Sequence, residues 1–255
     1  MNRLKKINNI RKKLRSGNPS IGSWIQLPHA SVAEIMGQSG FDWVAVDIEH
    51  GSVSTHVLPD LFRALELGNT LPLARLAQGK SKDIKEALDA GAGGIIAPMV
   101  EDGYQLREIR KFSCWPPSGN RGVAFSRANL FGKYFNEYKK ESQQPLLIAM
   151  IESELAIKNL ESILSVKGLD AILIGPYDLS ASMGITGQFQ NKKFKKTINN
   201  ILHLSKKHKI ASGIHIIEPS KTQLKIKIKE GYSFIAYSLD SVMLSHTANQ
   251  NKKKE

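Results

Sequence analysis

Two carboxylates, each at the end of an apolar run, carry the clearest chemical signal in this 255-residue chain. Leu146 to Ile151 runs into Glu152, and Ala171 to Ile174 leads through Gly175, Pro176 and Tyr177 to Asp178. In parallel α/β folds the C-terminal strand ends converge on the face that does chemistry. Two hard oxygen ligands with open positions suit Mg2+ or Mn2+, completed by water and a chelating substrate. A 2-oxo acid is such a chelator, and the cation would act as a Lewis acid toward the enolate formed beside its ketone. Acidic residues at these places also cap helices, so spacing alone leaves both readings open.

Other strand ends add a base and a cation. The second apolar run delivers Asp47-Ile48-Glu49-His50, where Asp47 could hold the His50 imidazole in one tautomer and raise its basicity. A solvated histidine fits the same letters. Arg75 closes a run that should be buried, so its permanent charge needs an anion. Either a substrate oxygen or an ion pair with Asp47 or Glu49 would serve. Trp24 or Gln26 comes from the first run, and His215 stands at the end of the seventh without an obvious partner. None of the eight runs contains lysine, which argues against Schiff-base chemistry. No glycine-rich turn follows the last two runs, which argues against a phosphorylated substrate.

The elements that must position these groups are eight short apolar or β-branched runs: 22–27, 43–48, 72–76, 94–98, 146–151, 171–175, 211–215 and 234–238. Helical periodicity fills most of the gaps, including 30–38, 55–67, 81–90, 154–165 and 192–208. The alternation predicts parallel βαβ units, and eight of them in a chain of this length predict an α/β fold of the (β/α)8, or TIM, barrel type. One domain over 1–255 is expected, with a basic amphipathic helix at 1–16 and a basic tail at 250–255. The connection from Met99 to Pro145 is much longer than the others, and such loops usually cover a site or meet a neighbour.

Charge and cysteine content narrow the setting. The formal net charge is +13, with Arg3, Lys5, Lys6, Arg11, Lys12, Lys13 and Arg15 crowded at the start. The lysines of 192–209 and 221–229 lie between apolar residues at helical spacing without interleaved aromatics, which reads as solvated faces rather than a nucleic-acid site. Leu4, Ile7, Ile10 and Leu14 form one stripe, expected to pack beneath the domain before Gly17-Asn18-Pro19 ends the helix. The single cysteine, Cys114, excludes an intrachain disulfide, and no apolar stretch approaches a membrane span. Together these predict a cytoplasmic protein with no membrane and no nucleic-acid partner.

Several longer motifs carry a resemblance. Phe41-Asp42-Trp43, Asp47-Ile48-Glu49-His50, Ala97-Pro98-Met99-Val100, Pro116-Pro117-Ser118-Gly119-Asn120-Arg121-Gly122, Ile151-Glu152 and the stretch from Gly175 to Gly184 occur in order between about Gly22 and Leu244. This set resembles the HpcH/HpaI aldolase and citrate lyase family, in particular its metal-dependent pyruvate aldolases. The resemblance implies a divalent metal (Mg2+, Mn2+ or Co2+) at Glu152 and Asp178, and His50 with Asp47 as acid and base. It places Arg75 on the substrate oxygen and the backbone of Gly175, Pro176 and Tyr177 at the pyruvate carboxylate, with Trp24 as a further substrate contact. It also implies a homo-oligomer, a hexamer whose C-terminal helices are exchanged between subunits. Two departures stand out: Met150 occupies a position where the better-known aldolases carry glutamine, and Tyr177 replaces a small residue.

The implied reaction is retro-aldol cleavage of a 4-hydroxy-2-oxo acid to pyruvate and an aldehyde, with His50 taking the 4-hydroxyl proton. A related carbon–carbon lyase or an oxaloacetate-type decarboxylase would use the same site. Outside enzymes, the alternative is a basic barrel that binds an anionic partner.

Overall fold

The computed structural model describes residues 1–250; most of the basic tail expected at 250–255 lies outside the described residues. Helix α1 (Arg3–Arg15) precedes strand β1 (Ser20–Ile25), and then α2 (Ala30–Gln38), β2 (Trp43–Asp47), α3 (Leu58–Leu67), β3 (Leu71–Arg75), α4 (Ser81–Ala90) and β4 (Gly94–Ala97) follow. Next come α5 (Gly103–Ser113), α6 (Phe135–Glu141), β5 (Leu146–Ile151), α7 (Glu154–Lys158), α8 (Leu160–Leu164) and β6 (Ala171–Ile174). The chain ends with α9 (Pro176–Ser182), α10 (Lys192–His208), β7 (Ala211–Ile216), α11 (Lys221–Lys229), β8 (Phe234–Leu239) and α12 (Asp240–Asn249). The eight strands pair in parallel in sequence order, and β8 returns to β1 to close the barrel.

Period-two alternation divides the strands between two cores. Val44, Val46, Ala74, Ile95, Ile151 and Ile174 face outward into the layer shared with the helices. Trp24, Trp43, Ala45, Leu73, Ile148, Met150, Leu173 and Phe234 fill the barrel interior. Trp43 stacks on Phe234 at 4.3 Å, and its ring occupies the space where a Cβ on Gly22 would fall, only 2.1 Å away. Any side chain at 22 would displace that indole. The inward row of β5 continues past the strand to Glu152, and β2 and β3 are in register at Asp47 and Arg75. Alternation in the sheet therefore aims these groups into the mouth of the barrel.

Helix α1 closes the opposite end. Asn2 caps it by accepting from the Lys5 N–H at 2.9 Å, and its last-turn Lys12, Lys13 and Arg15 complement the helix dipole. Ile7, Ile10 and Leu14 are buried against the interior core, each worth ~1.5–3 kcal/mol of apolar burial. Ion pairs Arg3–Glu141, Arg11–Asp170 and Lys13–Asp42 fix it in place. The amphipathic stripe is thus spent on the barrel floor.

One expectation needs correction. The 154–165 stretch is two short helices broken at Asn159, whose side-chain amide donates to the Glu101 carbonyl. The 99–145 excursion meets the site at Met99, joins the helix layer through α5 against α4 and α8, and then packs toward the barrel floor. Buried Arg121 pairs with Asp89 at the end of α4, and Arg127 with Glu66 at the end of α3, so two charges hold the excursion to the helix ends farthest from the mouth. Trp115, Ala128 and Tyr138 form a small core of their own beneath it. Val123, Phe125 and Phe131 remain exposed on its outer side.

Candidate active site at the C-terminal rim

Asp47 is the most heavily ligated side chain of the rim. It is fully buried and accepts from Gln26 Nε2 at 2.9 Å, from Arg75 Nε at 2.8 Å, from Arg75 Nη2, and from the backbone N–H groups of Glu49 and His50 at 3.1 Å. Burial alone would raise its pKa, but Arg75, Gln26 and the backbone bonds hold it below the ordinary carboxylate value. The Asp47–His50 spacing is therefore realised through the His50 backbone. The His50 imidazole is largely exposed, its Nε2 lying 4.0 Å from Glu49 Oε2. The structure does not bring the imidazole to Asp47.

Arg75 forms the ion pair with Asp47 and still faces the rim. Beyond Asp47, its Nη1 lies 3.4 Å from Glu49 Oε2, and the guanidinium sits 4.7 Å above the Trp24 ring. A planar cation held by a bidentate carboxylate and an aromatic face is preorganised for a second planar anion. Gln26 is in turn fixed by Asp240, which accepts from the backbone N–H groups of Gln26 and Leu27. Sequence reasoning passed over Asp240, although a carboxylate directly after β8 repeats the signal of Glu152 and Asp178.

On the facing wall, Glu152 is 5% exposed and accepts from the Met99 N–H at 2.6 Å. Met99 is held at φ +49°, which turns that N–H inward. Burial first, then the charges of Glu49 and Asp178, push Glu152 up to about 7, against the lowering effects of Met99 and Arg75. Asp178 comes from the first turn of α9. The two carboxylates meet beside Gly175: a Cβ there would lie 2.9 Å from Glu152 Oε2 and 3.5 Å from Asp178 Oδ2. The absent side chain leaves both oxygens open to one small ligand. Among the described residues Glu49 Oε2 is buried without a hydrogen-bond donor, and burial first, then Asp47 and Asp178, raise Glu49 against the lowering effect of Arg75.

This donor set fits a magnesium-like cation, which typically takes one or two protein carboxylates and leaves its other positions to water and substrate. Among the described residues no group of three or more His, Cys, Asp or Glu side chains is arranged as a closed metal cage. Linkage gives a test. Because the folded Glu152 holds its proton to about pH 7, the metal-free protein loses stability from this group as pH rises from its ordinary value through 7, on the order of 3 kcal/mol. Added Mg2+ or Mn2+ should reverse that loss in thermal melts at pH 8, and leave melts at pH 5 nearly unchanged.

Tyr177 is half-exposed, its ring edge-on to Phe189 at 5.0 Å, and Met150 lies buried in the inward row two residues below Glu152. The Gly175 N–H donates to the Ile151 carbonyl and is not free for a ligand.

A closed parallel barrel whose rim gathers three mutually repelling carboxylates opposite one fixed guanidinium is an α/β barrel with a candidate active site at its C-terminal face. Residues 20–247 match the HpcH/HpaI aldolase/citrate lyase family, and the chain belongs to it. It is 34% identical to the hydroxypyruvate/pyruvate aldolase of Roseobacter denitrificans, over 94% of both chains. It is 31% identical to the 2-keto-3-deoxy-L-rhamnonate aldolase of Salmonella gallinarum, over 92% of this chain and 88% of that one. The structure of a family protein from Burkholderia cenocepacia superposes with a TM-score of 0.89 at 27% identity, covering 95% of this chain and 97% of the other. Among the described residues no helix is long and apolar enough to cross a membrane.

Proposed function

We propose that the protein cleaves a 4-hydroxy-2-oxo acid to pyruvate and an aldehyde in a divalent-metal-dependent retro-aldol reaction. The observation that carries this reading is the convergence of Glu152 and Asp178 on the space beside Gly175, across the rim from the Arg75–Asp47 pair. Glu152 and Asp178 would hold the cation, Mg2+, Mn2+ or Co2+, which when bound supplies Lewis acidity toward the 2-oxo group. The substrate carboxylate lies against the Gly175–Tyr177 backbone. With the Gly175 N–H already donated, the N–H groups of Tyr177 and Asp178 in the first helical turn are the remaining donors.

Arg75 stabilises the oxygen that gains negative charge as the C3–C4 bond breaks, and Asp47, Gln26 and Trp24 hold the guanidinium still. His50 takes the proton of the 4-hydroxyl as the aldehyde leaves, and a proton delivered to C3 of the resulting enolate completes pyruvate. The exposed ring of His50 and its backbone tie to Asp47 give it a fixed root and a free head, so Asp47 positions it through the main chain. His50→Ala should then lower turnover by about a hundredfold while Mn2+ affinity stays within a factor of about two, as read by turnover and metal titration.

The same family resemblance supports a homohexamer with exchanged C-terminal helices. In α12 only Asp240 is buried, and Leu244 is 64% exposed, which leaves that helix with apolar surface for a partner subunit. A cytoplasmic setting accords with the lone buried Cys114.

The test is pyruvate release from a panel of 4-hydroxy-2-oxo acids with Mg2+ present. Release from at least one supports the reading and ranks the aldehydes. Release from none, with decarboxylation of oxaloacetate instead, would overturn it in favour of the related lyase chemistry.

A further inference from the structure

We infer that His215 is the hydrogen-bond partner of a hydroxyl group on the bound substrate, so that the site selects hydroxylated 2-oxo acids or aldehydes over their deoxy counterparts. This rests on the aldolase reading above and specifies its substrate class. In β7, Ile214 and Ile216 pack outward into the helix layer, whereas Ala211 belongs to the interior core, so alternation turns His215 inward at the rim. On β8 its cross-strand partner is Ala236, and Leu239 follows. The imidazole packs edge-on to Trp24 at 5.7 Å, and the other neighbour of that indole is the Arg75 guanidinium at 4.7 Å. His215 therefore stands one aromatic layer from the group that meets the substrate oxygen, on the stretch of rim between Asp178 and Asp47.

His215 Nε2 is buried and has no hydrogen-bond partner among the described residues, and the same holds for Ser238 Oγ on the adjacent β8 and Trp24 Nε1 on β1 beyond it. Orphaned polar atoms are rare in native interiors and mark places where a ligand or water belongs. Burial first, with help from the Arg75 charge, lowers the imidazole to about 4 against the opposing Ser238 backbone and Asp47, so the ring is neutral at physiological pH. With the ring's one N–H directed to the Ser238 backbone, the neutral imidazole leaves Nε2 as an acceptor, which matches a hydroxyl donor and not a carboxylate.

The experiment compares kcat/KM for aldol addition with two matched pairs: hydroxypyruvate against pyruvate as donor, and glycolaldehyde against acetaldehyde as acceptor. Wild type, His215→Leu and His215→Asn are each loaded with Mn2+. In at least one pair His215→Leu should lose about tenfold or more on the hydroxylated member, while the deoxy member changes by no more than about twofold. His215→Asn, which keeps a donor and an acceptor, should recover part of the loss. An equal fall for both members of each pair would mean that the ring only props Trp24, and no change in any would leave His215 without a role; either result overturns the inference. Wild-type inactivity with every pair would instead sink the aldolase reading, and the inference with it.

Discussion

Asp178→Asn and Glu152→Gln should each lower turnover by at least about a thousandfold, in proteins that fold normally. Each exchange removes one of the two anionic oxygens that meet beside Gly175 while keeping the side chain's shape. Glu152→Gln carries a second, opposite expectation for stability. Glu152 is buried beside Glu49 and Asp178 and is raised to about 7, so above that pH the metal-free protein holds a costly charge. A glutamine can still accept from the Met99 N–H, now without the repulsion. The metal-free variant should therefore melt above wild type at pH 8, and its melting point should no longer respond to Mn2+. A variant that is inactive because it is misfolded would melt lower.

Arg75→Met should lose about two to three orders of magnitude in kcat/KM and, separately, about 3–5 kcal/mol of stability. The stability cost arises because Asp47 stays fully buried with its strongest partner gone, keeping only Gln26 and two backbone donors. The sign with pH follows. The Asp47 carboxyl lies below its ordinary value in the folded protein, so it contributes stability above the unfolded pKa that is lost as pH falls through the folded one. In Arg75→Met that contribution disappears, and stability measured by denaturant should depend less on pH on the acid side. Arg75→Lys should keep part of the stability but little of the activity, since an ammonium cannot grip Asp47 with two parallel bonds.

Much of this was legible in the letters. An apolar run ending in a carboxylate located both Glu152 and Asp178, and eight such runs separated by helical periods located every strand to within two residues. The stripe Ile7, Ile10, Leu14 announced a helix packed beneath the domain because burial requires that spacing. What spacing did not convey was which atom of a residue does the work. Asp47 and His50 are three apart, but a loop that turns back on Asp47 offers it a backbone N–H and sends the imidazole to solvent. Arg75 had two candidate anions in the sequence, and only the strand register showed that Asp47 lies directly across from it. Contacts far apart in the chain were least legible: Arg121 with Asp89, Arg127 with Glu66, and the Trp43 indole over Gly22 depend on elements meeting in space. That is why the length of the excursion was legible and its anchoring to the ends of α3 and α4 was not.

The central claim is that two carboxylates hold the cation on which carbon–carbon cleavage depends. The direct test is pyruvate release by wild-type protein stripped with EDTA and freed of chelator, measured before and after titration with Mn2+. Stripped protein should release no pyruvate above background and Mn2+ should restore release, with Asp178→Asn unresponsive at the same concentrations. Undiminished release by protein shown to contain no divalent metal, or full restoration of Asp178→Asn by Mn2+, would contradict that claim.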